Sequence, residues 1–298
     1  MTKIATVGAD IPLDILNASA RFAGPLSWSL DRATPKADAW LESKFTPWAR
    51  SILQDWADGQ FDALAQVIFS RSDDNSQRLY YYICELRARG LVSGPEPLIF
   101  DVARLQRTSS RDHLAAQVRK LADRLGLDDK DLERGIAATN ADRRILAAKG
   151  EKHANDQVCL LAGTAPPDRR LHKAVEMAGW SPSGATLADL WRDAGPIVEE
   201  GTGHPVEAIA SQLHATQVGP RGFYDSAARI RQHATDIDAS AAVLWYTEEE
   251  EALVWHLPAQ RRALEQAGVA VLTLTRRDWA ARDGAAEEIM NFLEDLNA

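Results

Sequence analysis

The sequence predicts an α/β protein of two lobes, whose mainly parallel sheets face a shared cleft. Short apolar runs bounded by turn residues alternate with longer amphipathic stretches, which is the pattern of βαβ units. This alternation occurs twice, on either side of a long polar helical stretch. The chain of 298 residues is long enough for two domains that each bury a core.

The first predicted lobe spans residues 1–127. Its buried strands are expected at residues 3–9, 63–70 and 97–103, and its amphipathic helices at residues 12–22, 38–57, 74–89 and 110–125. Residues 128–150 contain good helix formers and few large apolar side chains, and they end at a glycine. We therefore predict that this segment is a helix that links the two lobes.

The second predicted lobe spans residues 151–298. Its strands are expected at residues 157–163, 241–246 and 269–275, and its helices at residues 168–179, 225–233, 250–267 and 285–296. Ligands bind beyond the carboxyl ends of the strands in open parallel sheets. We therefore look for functional residues in the loops that follow the strands.

Composition excludes several classes of function. Apolar residues make up 45% and charged residues 26% of the chain, as in ordinary globular proteins. A net charge of −9 without a basic stripe argues against nucleic-acid binding. The chain has no signal-peptide pattern and no run of about 20 apolar residues, so we expect a cytoplasmic protein without a membrane partner. Two cysteines and seven dispersed histidines predict neither a disulfide framework nor a metal site.

The loop after the second predicted strand is unusually polar. Ser70, Arg71, Ser72 and Asp73 lead into an aromatic helix that also carries Arg78. Hydroxyl, guanidinium and backbone N–H groups are suitable donors to a phosphate or a thioester carbonyl, which predicts ligand binding. An equally good interpretation is structural, in which an aspartate caps the helix and the arginines pair with nearby carboxylates.

Two other loops hold candidate residues. After the first strand, Gly8 permits a tight turn, and Asp10 either caps the following helix or forms a polar wall of a ligand site. After the strand at 241–246 come four carboxylates at residues 248–251, which complement the dipole of a helix that begins there. Glu248 becomes a candidate general acid or base if a cleft desolvates it.

Three of these segments together resemble the cluster-bearing subunits of 2-hydroxyacyl-CoA dehydratases and benzoyl-CoA reductases. They are the Asp-Ile-Pro-Leu-Asp-Ile-Leu-Asn-Ala stretch at residues 10–18, the strand and loop at residues 67–78, and the βαβ pattern at residues 242–272. The similarity covers most of the chain. It implies two flavodoxin-like or Rossmann-like lobes, a cleft for acyl-CoA and close packing with a related subunit in a dimer.

The chain departs from that family at the residues that hold its iron–sulfur cluster. The family uses three cysteine thiolates, in loops that match residues 70–73, 104–109 and 247–248, and none of these residues is Cys here. The resemblance therefore implies that this chain binds no cofactor itself and that a 4Fe-4S cluster belongs to a partner subunit.

Three hypotheses follow from this departure. In the first, the chain is the non-redox partner of a cysteine-bearing homologue in a lyase or reductase complex. In the second, it is a stand-alone enzyme, paired with a second copy of itself, that reuses the cleft for another small anionic ligand. In the third, it is a scaffold without chemistry.

Overall fold

The structure, a computed structural model, describes residues 3–149, 157–216 and 224–297. It confirms the predicted α/β class with two four-stranded sheets whose paired strands are all parallel. The chain divides into two compact units, of which the first is Met1–Lys149 with Trp191–Phe223 and the second is Gly150–Leu190 with Tyr224–Ala298. The segment Trp191–Phe223 thus belongs with the first unit, although it lies in the second predicted lobe.

In the described part of the chain, one to three α-helices separate each strand from the next. The strands are β1 (Lys3–Val7), β2 (Phe22–Pro25), β3 (Leu64–Ser70), β4 (Glu96–Phe100), β5 (Val158–Gly163), β6 (Ser181–Ser183), β7 (Ala239–Thr247) and β8 (Ala270–Arg277). The helices are α1 (Leu13–Ala18), α2 (Pro35–Trp40), α3 (Pro47–Ala57), α4 (Asp74–Ala88), α5 (Thr108–Leu125), α6 (Asp129–Lys149), α7 (Arg170–Met177), α8 (Leu187–Arg192), α9 (Pro205–Ala215), α10 (Ser226–Asp236), α11 (Leu257–Gln266) and α12 (Ala285–Asn297).

The two sheets have the same topology. Strand order is β2-β1-β3-β4 in the first unit and β6-β5-β7-β8 in the second. In each sheet the second strand pairs with one edge of the first strand. The chain then crosses to the other edge of the first strand, where the third strand pairs with it and the fourth pairs with the third. The central strands are buried, as expected of parallel strands covered by helices on both faces.

Three predicted helices differ from the structure. The helix predicted at residues 250–267 begins only at Leu257, after a 3-10 turn at Leu253–His256, so the four carboxylates at residues 248–251 precede it and do not complement its dipole. The helix predicted at residues 12–22 ends at Ala18, because the chain turns there and enters the edge strand β2. The helix predicted at residues 38–57 is two helices, and the second begins at Pro47, whose fixed φ suits a first helical turn. Edge strands as short as β2 and β6 carry too few residues to show a period of two.

Helix α6 is packed into the first unit through a buried ion pair. Arg143 donates to both carboxylate oxygens of Asp14 on α1, at 2.7 and 2.8 Å, and both side chains are at least 96% buried. Arg143 also donates to the carbonyl of Ala194. A Cβ at Gly135 would lie 2.1 Å from the carbonyl of Asp14, so only glycine permits this close helix crossing. The predicted linking helix is thus a structural part of this unit.

Each unit has its own apolar core. In the first unit, side chains of β1 and β3 pack with those of α1, α5, α6 and α9. In the second unit, side chains of β5 and β7 pack with those of α10 and α11. Among the residues that the structure describes, no helix is both long enough and apolar enough to cross a membrane.

Candidate functional site

The carboxyl ends of β1 and β3 form the topological switch point of the first sheet, where the chain changes direction across the sheet. Polar residues of three loops meet there: the loop after β1 with Asp10, the loop after β3 with Ser72, and the loop after β4 with Arg104. We call this group the first strand-end cluster. It contains Asp10, Ser70, Arg71, Ser72 and Asp73 of the predicted site, together with Asp101 and Arg104.

The backbone of the loop after β1 is tightly constrained. Gly8 has a φ of 95°, and a Cβ there would lie 2.8 Å from the Cβ of Ser70. Asp10 has a φ of 62°, in the left-handed region that few non-glycine residues adopt. The N-cap of α1 is Pro12, and no side chain caps that helix. The interpretation of Asp10 as a helix cap is therefore wrong.

The carboxylate of Asp10 pairs with Arg104, a buried residue that the sequence analysis did not single out. Arg104 is 3% exposed and Asp10 11% exposed, and the guanidinium also donates to the carbonyl of Thr216 at the end of α9. Burial raises the pKa of the Asp10 carboxyl, while Arg104 and the Ser72 hydroxyl lower it and Asp193 raises it further. The raised pKa shows that burial outweighs the ion pair.

Two serines connect the loops after β1 and β3. The Ser70 hydroxyl donates to the Ser72 hydroxyl over 2.8 Å, and it accepts from the Ser72 backbone N–H over 3.0 Å. The Ser72 hydroxyl lies 3.3 Å from the carbonyl of Ala9, to which it donates. Both serines are buried. A ligand would receive their hydroxyl protons only after these internal bonds rearrange.

The other predicted binding residues have structural partners. Asp73 caps α4, since its carboxylate accepts from the backbone N–H of Ser76 over 2.7 Å. Arg71 pairs with Asp101 at 2.8 Å, and its side chain remains 41% exposed. Arg78 lies over the ring of Phe45 and pairs with Glu42, both between α2 and α3. Arg78 therefore does not share a contact with the first strand-end cluster.

The switch point of the second sheet lies between the carboxyl ends of β5 and β7. Thr164 follows β5, and its hydroxyl accepts from the backbone N–H of Thr247 over 3.3 Å. Glu248, the predicted acid or base, is 67% exposed and pairs with Arg276 at 3.2 Å. Its surroundings do not desolvate it in the way that the prediction required.

The neighbouring Glu249, unlike Glu248, has a carboxyl that the protein partly buries. Burial raises the pKa of its carboxyl, as do Glu248 and Asp278, while its own backbone N–H and the Thr247 hydroxyl oppose the shift. Its Oε2 atom is buried, and no hydrogen-bond partner for it occurs among the described residues. A carboxyl with a raised pKa in a strand-end loop suits proton transfer. The sequence could not separate Glu249 from its three acidic neighbours.

The donor set of the first strand-end cluster does not suit an iron–sulfur cluster. Its hydroxyls are bonded to each other, and no thiol is among its side chains. Cys84 lies in α4, and Cys159 is fully buried in β5, where burial raises its pKa to about 12. In the described part of the chain, no three His, Cys, Asp or Glu side chains are placed to share a metal ion.

Comparison with known proteins identifies no family for this chain. No family model matches the sequence, and no curated protein matches it significantly. Residue chemistry and geometry are therefore the basis for a functional hypothesis.

Proposed function

We propose that this chain is a cluster-less member of the 2-hydroxyacyl-CoA dehydratase and benzoyl-CoA reductase family. It acts as the non-redox partner of a cysteine-bearing homologue, binds acyl-CoA and helps to exclude water from the reaction. The observation that carries the proposal is Asp10, a desolvated carboxyl held at a φ of 62° at a topological switch point. Backbone strain and shifted pKa values are concentrated at functional sites.

In this proposal the residues of the first strand-end cluster position the ligand. Arg71 donates to a thioester carbonyl or a phosphate, because its pairing with Asp101 orients a guanidinium that remains 41% exposed. Asp10 and the backbone N–H groups of its loop form a polar wall. Glu248 is the acid or base that the sequence predicts, and Glu249 is the neighbouring carboxyl whose raised pKa suits that role better.

The redox chemistry of such a complex belongs to the partner. Cysteines of the homologous subunit would hold the 4Fe-4S cluster, which supplies the electron that the reaction needs. This chain would orient the acyl thioester within a dehydratase, which is a lyase, or within a reductase. A second copy of this chain is the alternative partner.

One observation favours a different function, in which the first strand-end cluster serves another small anionic ligand or no ligand at all. The arginines predicted to bind anions already pair with carboxylates, Arg71 with Asp101 and Arg78 with Glu42. Arg104 likewise pairs with Asp10. Because carboxylates of the chain already neutralise these arginines, they do not need an anionic acyl-CoA as a partner. This pairing is expected of a stand-alone enzyme with a different substrate or of a scaffold protein.

An anaerobic affinity purification from the native host tests the proposed partner. We expect a cysteine-bearing homologue to co-purify, together with iron and sulfide in amounts that fit one cluster per complex. Mass spectrometry identifies the chains, and metal and sulfide analyses are made on the same sample. An iron-free chain recovered alone would contradict the proposal.

Calorimetry on the purified complex then tests the ligand site. Arg71→Gln is expected to weaken acyl-CoA binding by about tenfold or more, because a charge-assisted hydrogen bond is lost. Arg89→Gln is the matched control, since Arg89 is the exposed residue that follows α4, and its ion pair among the described residues is with Glu85, four positions earlier. Equal affinities for the two variants would show that the loop after β3 is structural.

A further inference from the structure

The second unit has an open groove between two neighbouring helices. Helices α10 and α11 lie side by side, and the groove between them has a volume of about 370 Å³. Its apolar lining is entirely alanine, while Arg231 and Arg262 provide its positive charge. The alanines are Ala227, Ala228, Ala259 and Ala263. Small side chains leave room for a ligand beside the arginines.

These two arginines differ from their neighbours in charge pairing. Arg261, next to Arg262 in the chain, pairs with Glu265 at 2.8 Å, and Arg229 on α10 lies against the ring of Tyr224. Within the described residues, neither Arg231 nor Arg262 has an ion pair or a side-chain hydrogen bond. In a chain with a net charge of −9, two such arginines in one groove form a local positive site.

The acidic residue in the groove is occupied by the protein. Asp225 caps α10, and its Oδ1 atom accepts from the backbone N–H groups of Ala227 and Ala228 over 3.0 and 2.9 Å. These two N–H groups are therefore not available to an anion, and recognition would depend on the two guanidinium groups. With Asp225 counted, the charged side chains of the lining still have a net charge of +1.

We propose that this groove binds the phosphate group of a soluble small molecule, with Arg231 and Arg262 as its donors. A guanidinium offers two parallel N–H groups that match two oxygens of a phosphate, and two guanidiniums contribute four such contacts. The volume is at the lower end of the range of small-molecule sites. The open groove would contact the phosphate and leave the rest of the ligand in solvent. This inference does not depend on the proposed function.

Titration with inorganic phosphate and with pyrophosphate tests the groove. Nuclear magnetic resonance of the arginine Nε–Hε groups in the full chain reports each guanidinium separately. We expect the signals of Arg231 and Arg262 to shift together and to saturate, with pyrophosphate binding more tightly than phosphate. Arg231→Gln and Arg262→Gln should each weaken binding by about tenfold, because each removes one of the two guanidinium groups.

Arg261→Gln is the matched control, because it removes the same charge from the same helix but an arginine that is already paired. It should leave pyrophosphate affinity within about twofold, and backbone spectra confirm that each variant is folded. Equal loss in all three variants would indicate non-specific charge attraction and overturn the proposal. Binding to vesicles that contain anionic lipid, without saturable binding of pyrophosphate, would also overturn it.

Discussion

The two units share a topology but satisfy their polar groups differently at the strand ends. In both, a glycine with a positive φ stands at the end of the first strand: Gly8, directly after β1, has a φ of 95°, and Gly163, the last residue of β5, has a φ of 102°. In the first unit, the Asp10 carboxylate has a guanidinium partner in Arg104. In the second unit, Glu249 has a buried oxygen without a described partner.

This comparison distinguishes features that the fold requires, which both units share, from features that only one unit has. The glycine turn is present in both units because a parallel sheet with this strand order brings two chain segments close together at its switch point. The charged groups are not shared, so the topology does not require them. Buried charged groups lower stability unless they are paired, which makes them the best candidates for residues retained for function.

The strongest way to break the charge pairing of the first unit is to remove Arg143. Arg143→Met should destabilise the protein by about 3–5 kcal/mol, because Asp14 would be left buried and unpaired. Urea unfolding measures the change in the free energy of unfolding. The double variant with Asp14→Leu should recover most of that loss, since an apolar pair of similar volume replaces the ions. A single variant with unchanged stability would show that this ion pair is not required.

The glycine turns offer a comparison within the second unit. Gly163→Ala should cost about 3 kcal/mol, because its φ disfavours a side chain and its Cβ would lie 2.2 Å from the carbonyl of Trp245. Gly179→Ala is the matched control, since its φ is 86° but no atom lies within 4 Å of the added Cβ. We expect it to cost about 1–2 kcal/mol, the backbone strain alone.

Thiol labelling shows which of the two units becomes accessible to solvent in the Gly163→Ala variant. Cys159 lies on β5 in the second unit and is fully buried, and Cys84 lies on α4 in the first. Labelling of Cys159 should become faster in this variant, while labelling of Cys84 changes little. Equal labelling rates at Cys159 in the Gly163→Ala and Gly179→Ala variants would contradict the close approach to Trp245.

Much of the fold could be predicted from the sequence, because buried parallel strands appear as continuous apolar runs. Strands β3 and β7 and helices α4, α5 and α6 lie close to their predicted positions. The short strands β2 and β6 were missed, since three or four residues at a sheet edge carry little pattern. The membership of Trp191–Phe223 in the first unit depends on long-range contacts such as that of Arg143 with Ala194.

For the candidate site, the sequence predicted which loops hold its residues better than it predicted what each residue does. Loops after parallel strands are known positions for functional residues, so Asp10, Ser70 and Ser72 could be selected. Arg104 was not, because nothing in the local sequence indicates that its side chain is buried beside a residue 94 positions earlier. The structural interpretation of Asp73 as a helix cap is confirmed, since this is a local interaction with Ser76.

The smallest expected effect concerns the Glu249 carboxyl of the second unit. The pKa of Glu249 is raised above its ordinary value of 4.5, so the folded state binds this proton more tightly than the unfolded state. The resulting stabilisation is fully present below about pH 4.5 and is lost as the pH rises through the folded pKa. At neutral pH the ionised carboxylate therefore lowers stability.

Glu249→Gln should remove this pH dependence and stabilise the protein at pH 7, by less than about 1 kcal/mol because solvent screens a partly exposed group. Urea unfolding of both proteins between pH 4 and pH 8 gives the difference at each pH, which should grow with pH and then level off. Glu248→Gln is the matched control and should change stability less, since that carboxylate is exposed and paired with Arg276. It should also lower the pKa of Glu249, because the Glu248 charge raises it. A difference that does not vary with pH would mean that the pKa of Glu249 is the same in the folded and unfolded states, which would contradict the prediction.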